Sequence, residues 1–202
     1  MYTPGHFKVQ DQALLQEFMR RFSFAALITF GPQPQVSHLP FVVRTEPTLT
    51  LASHMARANQ HWRALIEANE SLIIFQGPHA YISPSLYESE QSVPTWNYSV
   101  VHAYGRAMVS EDTGAVLEEM IAFYDQAYLE QWNDLPEEYR ETMKSAIVAF
   151  EIQVERLEGK FKMSQNRSIR DQENIVEQFA ASNVADNEGV AEIMRQNLAR
   201  RS

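Results

Sequence analysis

The stretch from residue 23 to residue 44, SFAALITFGPQPQVSHLPFVVR, decides the fold. An apolar run, SFAALITF, is followed by a glycine and two prolines and then by a second run, VSHLPFVVR. Short apolar runs bounded by Gly and Pro predict β-strands, and two such runs joined by a turn predict a hairpin. Pro40 removes one backbone donor from the second run, which predicts an edge strand, a bulge or a kink there.

The rest of the chain continues this pattern, with helices between the strands. Further strands are predicted at 48–53, 71–76, 80–83, 98–110 and 146–157. Gly77-Pro78 is expected to end the strand at 71–76, and Gly105 to form a bulge. Helices are predicted at 11–22, 59–68, 113–132 and from 136 to about 145. Because the strands mostly follow one another directly, we expect an antiparallel sheet, and about six such strands close best as a small barrel.

No internal repeat or low-complexity linker divides the chain, so we expect one domain over residues 1–202. Within it, a helical insertion is predicted at about 111–145. Residues 159–167, GKFKMSQNR, are predicted as a basic turn. A helical tail is predicted at about 168–202, interrupted near 182–189.

The negative charge of the chain is concentrated in the predicted insertion. The formal net charge is −9, and residues 111–141 contain ten acids and a single base, Arg140, so this segment accounts for all of it. We expect a solvated helical face here. Such a face repels phosphate backbones, so nonspecific binding of nucleic acid is disfavoured.

Several classes of protein are excluded by composition. The chain has no cysteine, which rules out disulfides, thiolate nucleophiles and Cys-based metal sites. No apolar run approaches the length of a membrane span, and the N-terminus lacks a secretory pattern, so we expect a cytoplasmic protein without membrane contact. The six histidines lack the spacing of known metal motifs, so no metal site is predicted.

Three segments carry candidate binding chemistry. Residues 54–59, HMARAN, join a strand to a helix and include Arg57, which would suit a phosphate; alternatively, Asn59 caps the helix and Arg57 is solvated. Residues 37–40, SHLP, contact a ligand or belong to the core. Residues 93–98, VPTWNY, supply planar side chains for stacking on a ring, for an interface, or for packing alone.

A small basic cluster near the end of the chain is a fourth candidate. It would contact an anionic ligand or, in the competing interpretation, is solvated surface. The cluster consists of Lys160, Lys162, Asn166 and Arg167.

Taken in order, these segments resemble the PaiB family of FMN-binding negative transcriptional regulators, within the split-barrel flavoproteins that include pyridoxamine-phosphate oxidase. The matching stretches are MYTP at 1–4, SHLP at 37–40, HMARANQHW at 54–62, GPHAYISPSLY at 77–87, VPTWNY at 93–98 and GKFKMSQNR at 159–167. The resemblance places the flavin phosphate at the strand-to-helix turn at 54–59, which we call the phosphate turn. This turn has Ala56-Arg57-Ala58 where the oxidases have Ser-Arg-Lys.

The resemblance implies a six-stranded antiparallel Greek-key split barrel with peripheral helices, and a homodimer with FMN at its interface. It implies cofactor contacts from one subunit at the phosphate turn and along the second strand, and from the partner subunit at Trp96 and Asn97. The residues concerned are Ser37, His38, Leu39, Pro40, His54, Arg57, Asn59, Trp96, Asn97 and Lys160. No catalytic residue is assigned, and His38 is the best candidate for proton transfer.

Three functions are compatible with the resemblance. The first is a flavin reductase-like oxidoreductase that uses NAD(P)H. The second is a regulator that senses flavin without turnover, although the sequence has no helix-turn-helix and no basic recognition helix, so DNA binding is doubtful. The third is a haem-binding split barrel.

Overall fold

The computed structural model describes residues 1–200 as a mainly β protein. Its strands are β1 (Lys8–Val9), β2 (Phe24–Thr29), β3 (Gln35–Pro40), β4 (Val42–Arg44), β5 (Thr50–Ala56), β6 (Ser71–Ile82), β7 (Thr95–Val109) and β8 (Ile147–Lys162). Its helices are α1 (Gln12–Arg21), α2 (His61–Glu67), α3 (Thr113–Tyr124), α4 (Gln126–Asp134), α5 (Glu137–Ser145), α6 (Ile169–Ala180) and α7 (Ala185–Ala199).

The strands form one sheet in the order β3-β2-β6-β7-β8-β5-β4, with β1 paired to β8. The β2–β3 hairpin is antiparallel, as expected, with Leu27 opposite Ser37. The sheet has eight strands rather than the expected six. One extra strand is β1, and another arises because the second run of the hairpin divides after Pro40 into β3 and β4.

Contacts divide the chain into two compact units. The first consists of residues 1–11, 76–101 and 158–202, and the second of residues 12–75 and 102–157. The long strands β6, β7 and β8 each contribute residues to both units.

Two strands are longer than predicted. Strand β6 continues through Gly77-Pro78 to Ile82, so the prediction that these residues end it is wrong. Its pairing with β2 reaches only Ile74, so Pro78 lies beyond the part of the strand that needs donors on that side. Strand β8 continues to Lys162, so the first residues of the predicted basic turn are strand residues, paired through Lys8↔Lys160.

The predicted helix at 113–132 is two helices. Asp125 ends α3 and caps α4, because its carboxylate accepts a hydrogen bond from the backbone N–H of Tyr128 at 3.2 Å. Helix α3 packs on the sheet of the second unit. The contact is a buried apolar cluster of Val42, Ala52, Val116, Met120 and Ala149.

An ion-pair network holds the acidic insertion to the same strands. Arg44 donates to Glu119 of α3 through Nε at 2.8 Å, and to Glu151 of β8 through Nη1 at 2.8 Å. Glu119, the stronger partner, raises the pKa of the Arg44 guanidinium further above its ordinary value. Glu119, one of the ten acids of the insertion, therefore attaches the insertion to these strands.

Two glycines permit close approaches of the backbone. A Cβ on Gly105 of β7 would lie 2.1 Å from the carbonyl oxygen of Gln153 on β8. A Cβ on Gly189 would lie 2.4 Å from Cγ of Pro78. Gly189 lies inside α7, so the predicted interruption of the tail ends earlier than expected, at Val184. Residues 201 and 202 of the predicted tail lie outside the described residues.

None of the helices among residues 1–200 combines the length and apolarity that crossing a membrane requires.

Candidate functional site

A chain of hydroxyl and imidazole groups leads from the interior of the second unit to its surface. Ser37 Oγ lies 2.7 Å from His61 Nδ1, and His61 Nε2 lies 3.0 Å from Thr29 Oγ1. Thr29 Oγ1 in turn lies 3.3 Å from Ser71 Oγ. His61, Thr29 and Ser71 are buried, whereas Ser37 is half-buried. We call these four residues the polar chain.

Asn59 joins the polar chain at its outer end. Its side-chain oxygen accepts a hydrogen bond from the backbone N–H of His61 at 3.1 Å. That bond fixes the amide, so that Nδ2 donates to Ser37 Oγ at 3.2 Å. The prediction that Asn59 is the N-cap of α2 is wrong by one residue, because Gln60 is the N-cap and has no side-chain cap bond. The side chain of Asn59 instead joins the first residue of α2 to the second strand of the hairpin.

Arg57 is exposed, and its position is nevertheless well fixed. Its Nε donates to the carbonyl of Ser145 and its Nη2 to the carbonyl of Ile147, both at 2.8 Å. Its backbone N–H donates to the carbonyl of Ala146 at 2.8 Å, and its own carbonyl accepts from Trp62 Nε1. The guanidinium has five N–H groups. Among residues 1–200, no carboxylate forms an ion pair with it.

The expected contacts of β3 lie on two faces of the sheet. Ser37 and Leu39 share one face, and His38 lies on the other, because side chains alternate along a strand. The imidazole of His38 is exposed and stacks on Phe24, with ring centroids 6.5 Å apart. The carbonyl of Pro40 accepts a hydrogen bond from Ser53 Oγ at 2.7 Å. The structure thus brings Ser37 together with Asn59, but not with His38.

His54 faces the acidic insertion. Its Nδ1 lies 3.2 Å from Sδ of Met120 on α3. Burial lowers the pKa of the His54 imidazole below its ordinary value of 6.5. Burial likewise lowers the pKa of His61. Both imidazoles are therefore held neutral near pH 7.

Trp96 and Asn97, neighbours on β7, have opposite environments in the first unit. The indole of Trp96 is exposed and lies beside the rings of His79 and Tyr81, with centroids 6.2 and 6.0 Å away. Asn97 is fully buried, and its side-chain oxygen accepts a hydrogen bond from Ser164 Oγ at 3.1 Å. Ser164 has a φ of 60°, a rare conformation for a residue other than glycine.

Lys160 is buried without a carboxylate partner in the described part of the chain. Its Nζ donates to the carbonyl of Tyr2 at 3.1 Å and lies over the rings of Tyr2 and Tyr98, 5.8 and 5.2 Å from their centroids. Nearby, Lys162 donates to Thr95 Oγ1 at 2.5 Å and to the carbonyl of Trp96 at 2.6 Å. Burial, and secondarily the charges of Lys160 and Arg167, lower the pKa of Lys162.

Three residues of these sites were not predicted to take part. Thr29 and His61 link Ser37 to the interior, and Lys162 fixes the backbone of Trp96. In the sequence, His61 is part of a matching family stretch without an assigned role, and the packing of α2 on β2 and β3 brings it to Ser37. Within the described range 1–200, no group of three His, Asp or Glu side chains is arranged to hold a metal ion.

Comparison with known proteins identifies the family. Residues 1–156 match the family described as "Putative FMN-binding domain". The chain belongs to this family. It is 34% identical to "Protease synthase and sporulation protein PAI 2" of Bacillus subtilis, over 98% of each chain. It is also 32% identical to an uncharacterized protein of Aspergillus fumigatus, over 91% of this chain and 92% of that one. The resemblance to the PaiB family is thereby confirmed.

Solved structures confirm the fold class. The chain resembles the FAD and heme binding protein of Mycobacterium smegmatis with a TM-score of 0.62 and 12% identity, over 77% of this chain and 73% of that one. It resembles the flavocytochrome Anf3 of Azotobacter vinelandii with a TM-score of 0.61 and 15% identity, over 77% and 69% of the chains. Identities this low establish the fold alone, which is an antiparallel split barrel with peripheral helices.

Proposed function

We propose that this chain binds FMN and that Arg57 holds the phosphate. The observation that carries this proposal is a fixed, exposed guanidinium that has no acidic partner among residues 1–200. Two backbone carbonyls accept from its Nε and Nη2, and these bonds use two of its five N–H groups. A cation that is held in place before its ligand arrives suits a phosphate, which accepts several charge-assisted hydrogen bonds. Membership of an FMN-binding family supports the choice of ligand.

The test compares FMN with riboflavin, which lacks the phosphate. In Arg57→Met we expect FMN affinity to fall by about 10- to 100-fold, the loss of one hydrogen bond to a charged group, and riboflavin affinity to be unchanged. Arg63→Met is the matched control, because Arg63 is an exposed arginine on α2 that stacks on Trp62. Equal losses for the two ligands, or no binding of FMN to the wild type, would refute the proposal.

The second part of the proposal is a homodimer that completes the site. Large apolar side chains are exposed on the β2–β3 hairpin, namely Phe24, Phe30 and Val36. Monomeric proteins rarely leave contiguous apolar surface open, so we assign this hairpin to the interface with a second copy. Ser37 and Leu39, which share one face of β3, would then line the flavin ring, and the partner would contribute the exposed indole of Trp96. Asn97 would position the neighbouring Trp96 and would not contact the flavin itself, because its amide is buried.

Light scattering after size-exclusion chromatography tests the dimer. Phe24→Glu is expected to shift the mass from 46 kDa, roughly twice the chain mass of 23.2 kDa, towards the monomer. Tyr139→Glu, at an exposed position on α5, is the control and should leave the mass unchanged. A monomeric wild type would contradict the proposal.

The third part concerns the reaction. We propose a flavin reductase-like activity with NAD(P)H as the donor, in the cytoplasm. Bound FMN supplies hydride acceptance, and the protein supplies binding and orientation. Anaerobic visible spectra before and after NADPH test this part: bleaching of the flavin band supports it. A bound flavin that is not reduced would instead support a regulator that senses flavin, and a Soret band after haem titration would support haem binding.

A further inference from the structure

The polar chain in the second unit contains more protons than its gaps can hold. Ser37, Thr29 and Ser71 each carry one hydroxyl proton, and a neutral imidazole carries one on His61. Three gaps separate these four groups, at 2.7, 3.0 and 3.3 Å. Each gap needs one proton, so one proton is left over.

The left-over proton has three possible positions. If Ser37 donates to Nδ1 while His61 Nε2 and Ser71 both donate to Thr29, the hydroxyl proton of Thr29 has no acceptor among the described residues. If every group donates inward, Ser37 donates to Nδ1, His61 Nε2 donates to Thr29, and Thr29 donates to Ser71. The hydroxyl proton of Ser71 then has no acceptor, because Thr29 is the hydrogen-bond partner that the described residues give Ser71 Oγ. If every group donates outward, the hydroxyl proton of Ser37 is left instead.

Burial decides among these three arrangements. Thr29 is 2% exposed and Ser71 is 1% exposed, so a donor left at either residue would lose its hydration without compensation. Ser37 is half-buried at the outer end, where water or a ligand can accept its proton. The outward arrangement therefore satisfies every buried donor. It requires the proton of His61 on Nδ1.

Asn59 removes the remaining accepting capacity of Ser37. Its Nδ2 donates to Ser37 Oγ, and in the outward arrangement His61 Nδ1 donates to the same oxygen. A hydroxyl oxygen has two lone pairs, so both are occupied. Ser37 can then only donate to whatever lies outside.

We propose that His61, held as the Nδ1–H tautomer by Thr29 and Ser71, makes Ser37 a donor-only residue that selects a hydrogen-bond acceptor on the ligand. His61 is a positioning residue in this scheme. The lowered pKa of its imidazole agrees, since a doubly protonated ring would have no acceptor for Thr29. The proposal rests on the proposed function in one respect, the identification of the ligand as a flavin, whose ring and phosphate oxygens are acceptors.

The tautomer can be measured without any ligand. Nitrogen-15 NMR of the imidazole distinguishes a protonated from an unprotonated ring nitrogen. In the wild type near pH 7 we expect a protonated Nδ1 and an unprotonated Nε2 at His61. A protonated Nε2 would overturn the proposal, whether or not the protein binds flavin.

Thr29→Val tests the cause of the tautomer while preserving side-chain shape. Without the Thr29 hydroxyl, each tautomer leaves one buried group unpaired at Nε2, so the preference is lost and the nitrogen shifts should move towards an average. Thr50→Val is the matched control: Thr50 is also a strand threonine, and within the described part of the chain its hydroxyl donates to the nearby carbonyl of Thr48. Unchanged shifts in Thr29→Val would contradict the proposal.

The ligand arm measures dissociation constants for FMN. Ser37→Ala should weaken FMN about tenfold, as expected for one hydrogen bond, and Thr29→Val by a smaller factor, with Thr50→Val unchanged. Wild-type affinity in Ser37→Ala would overturn the selection step. If no variant and no wild type binds flavin, the proposed function fails while the tautomer result stands by itself, so the two failures are distinguishable.

Discussion

At the scale of single residues, burial keeps the imidazoles of His54 and His61 neutral, but the two rings have different neighbours. His61 is surrounded by hydroxyl groups, whereas His54 has the thioether of Met120 beside it. A thioether is a weak acceptor and cannot stabilise a charged ring. Protonation of His54 therefore has no compensation, which makes its contribution to pH dependence simple to isolate.

We expect His54 to make the free energy of unfolding fall as the pH is lowered from about 6.5. Its pKa is lower in the folded than in the unfolded chain, so between the two values the unfolded state binds more protons. Acidification then favours unfolding. Denaturant titrations at pH 7.5 and about pH 5 measure the slope, which should be shallower in His54→Phe than in the wild type.

The control for this prediction is Met143→Gln, which exchanges one uncharged side chain for another at an exposed position on α5. It should leave the slope of stability against pH as it is in the wild type. A slope that is the same in His54→Phe and in the wild type would show that His54 is not the source.

Sequence reasoning located the candidate site in part. The pattern at 54–59 gave Arg57 and Asn59, because a strand-to-helix junction is readable from local signals. It could not give Thr29, which bonds to His61, or Ser71, which meets Thr29 through the register of β2 with β6. Nor could the pattern show that Ser37 faces the interior and His38 the solvent, because the residues of this half-exposed edge strand do not alternate clearly between apolar and polar. Hydrogen bonds across a sheet depend on registers that single runs do not encode.

At the scale of elements, the sequence predicted which helices and strands exist better than it predicted where they end. Strands and helices were found where apolar periodicity is strong, as in α1 and β2. The errors fall at Gly77-Pro78 and at Gly189, residues that ordinarily break an element. In the structure these two sites belong together, because Pro78 lies against Gly189. Packing between distant segments has overridden the local signals.

We expect Gly189→Ala to lower stability although alanine favours helices by about 1 kcal/mol. Its Cβ would lie 2.4 Å from Cγ and 2.8 Å from Cβ of Pro78, and a proline ring cannot rotate away. Overpacking of this kind costs roughly 1–3 kcal/mol. Denaturant unfolding followed by circular dichroism measures the change.

The companion variant is Pro78→Gly, which removes the ring. In that background Gly189→Ala should be neutral or stabilising, since only its helix propensity remains. A double-mutant cycle without coupling would show that the contact between Pro78 and Gly189 has no energetic weight.

At the scale of the whole molecule, the chain has two compact units connected by three continuous strands. Breaking one unit would fray β6, β7 and β8 at residues that the other unit uses. We therefore predict a single unfolding transition, as expected of the one domain inferred from sequence.

Tryptophans offer a probe in each unit. Trp96 belongs to the first unit, and Trp132 to the second. In a Trp62→Phe background, removing either one leaves a single reporter, and both reporters should give the same midpoint. Midpoints that differ beyond error would mean that the units unfold separately.

The attachment of Arg57 to residues 145–147 has a practical consequence. The guanidinium donates a hydrogen bond to the carbonyl of Ser145, the last residue of α5. The side chain proposed to bind the phosphate is therefore attached directly to the end of an exposed acidic helix. The chain has no cysteine, so a thiol introduced at exposed Glu141 would be the sole labelling point for a dye. Such a conjugate is a ready design for a fluorescent flavin biosensor.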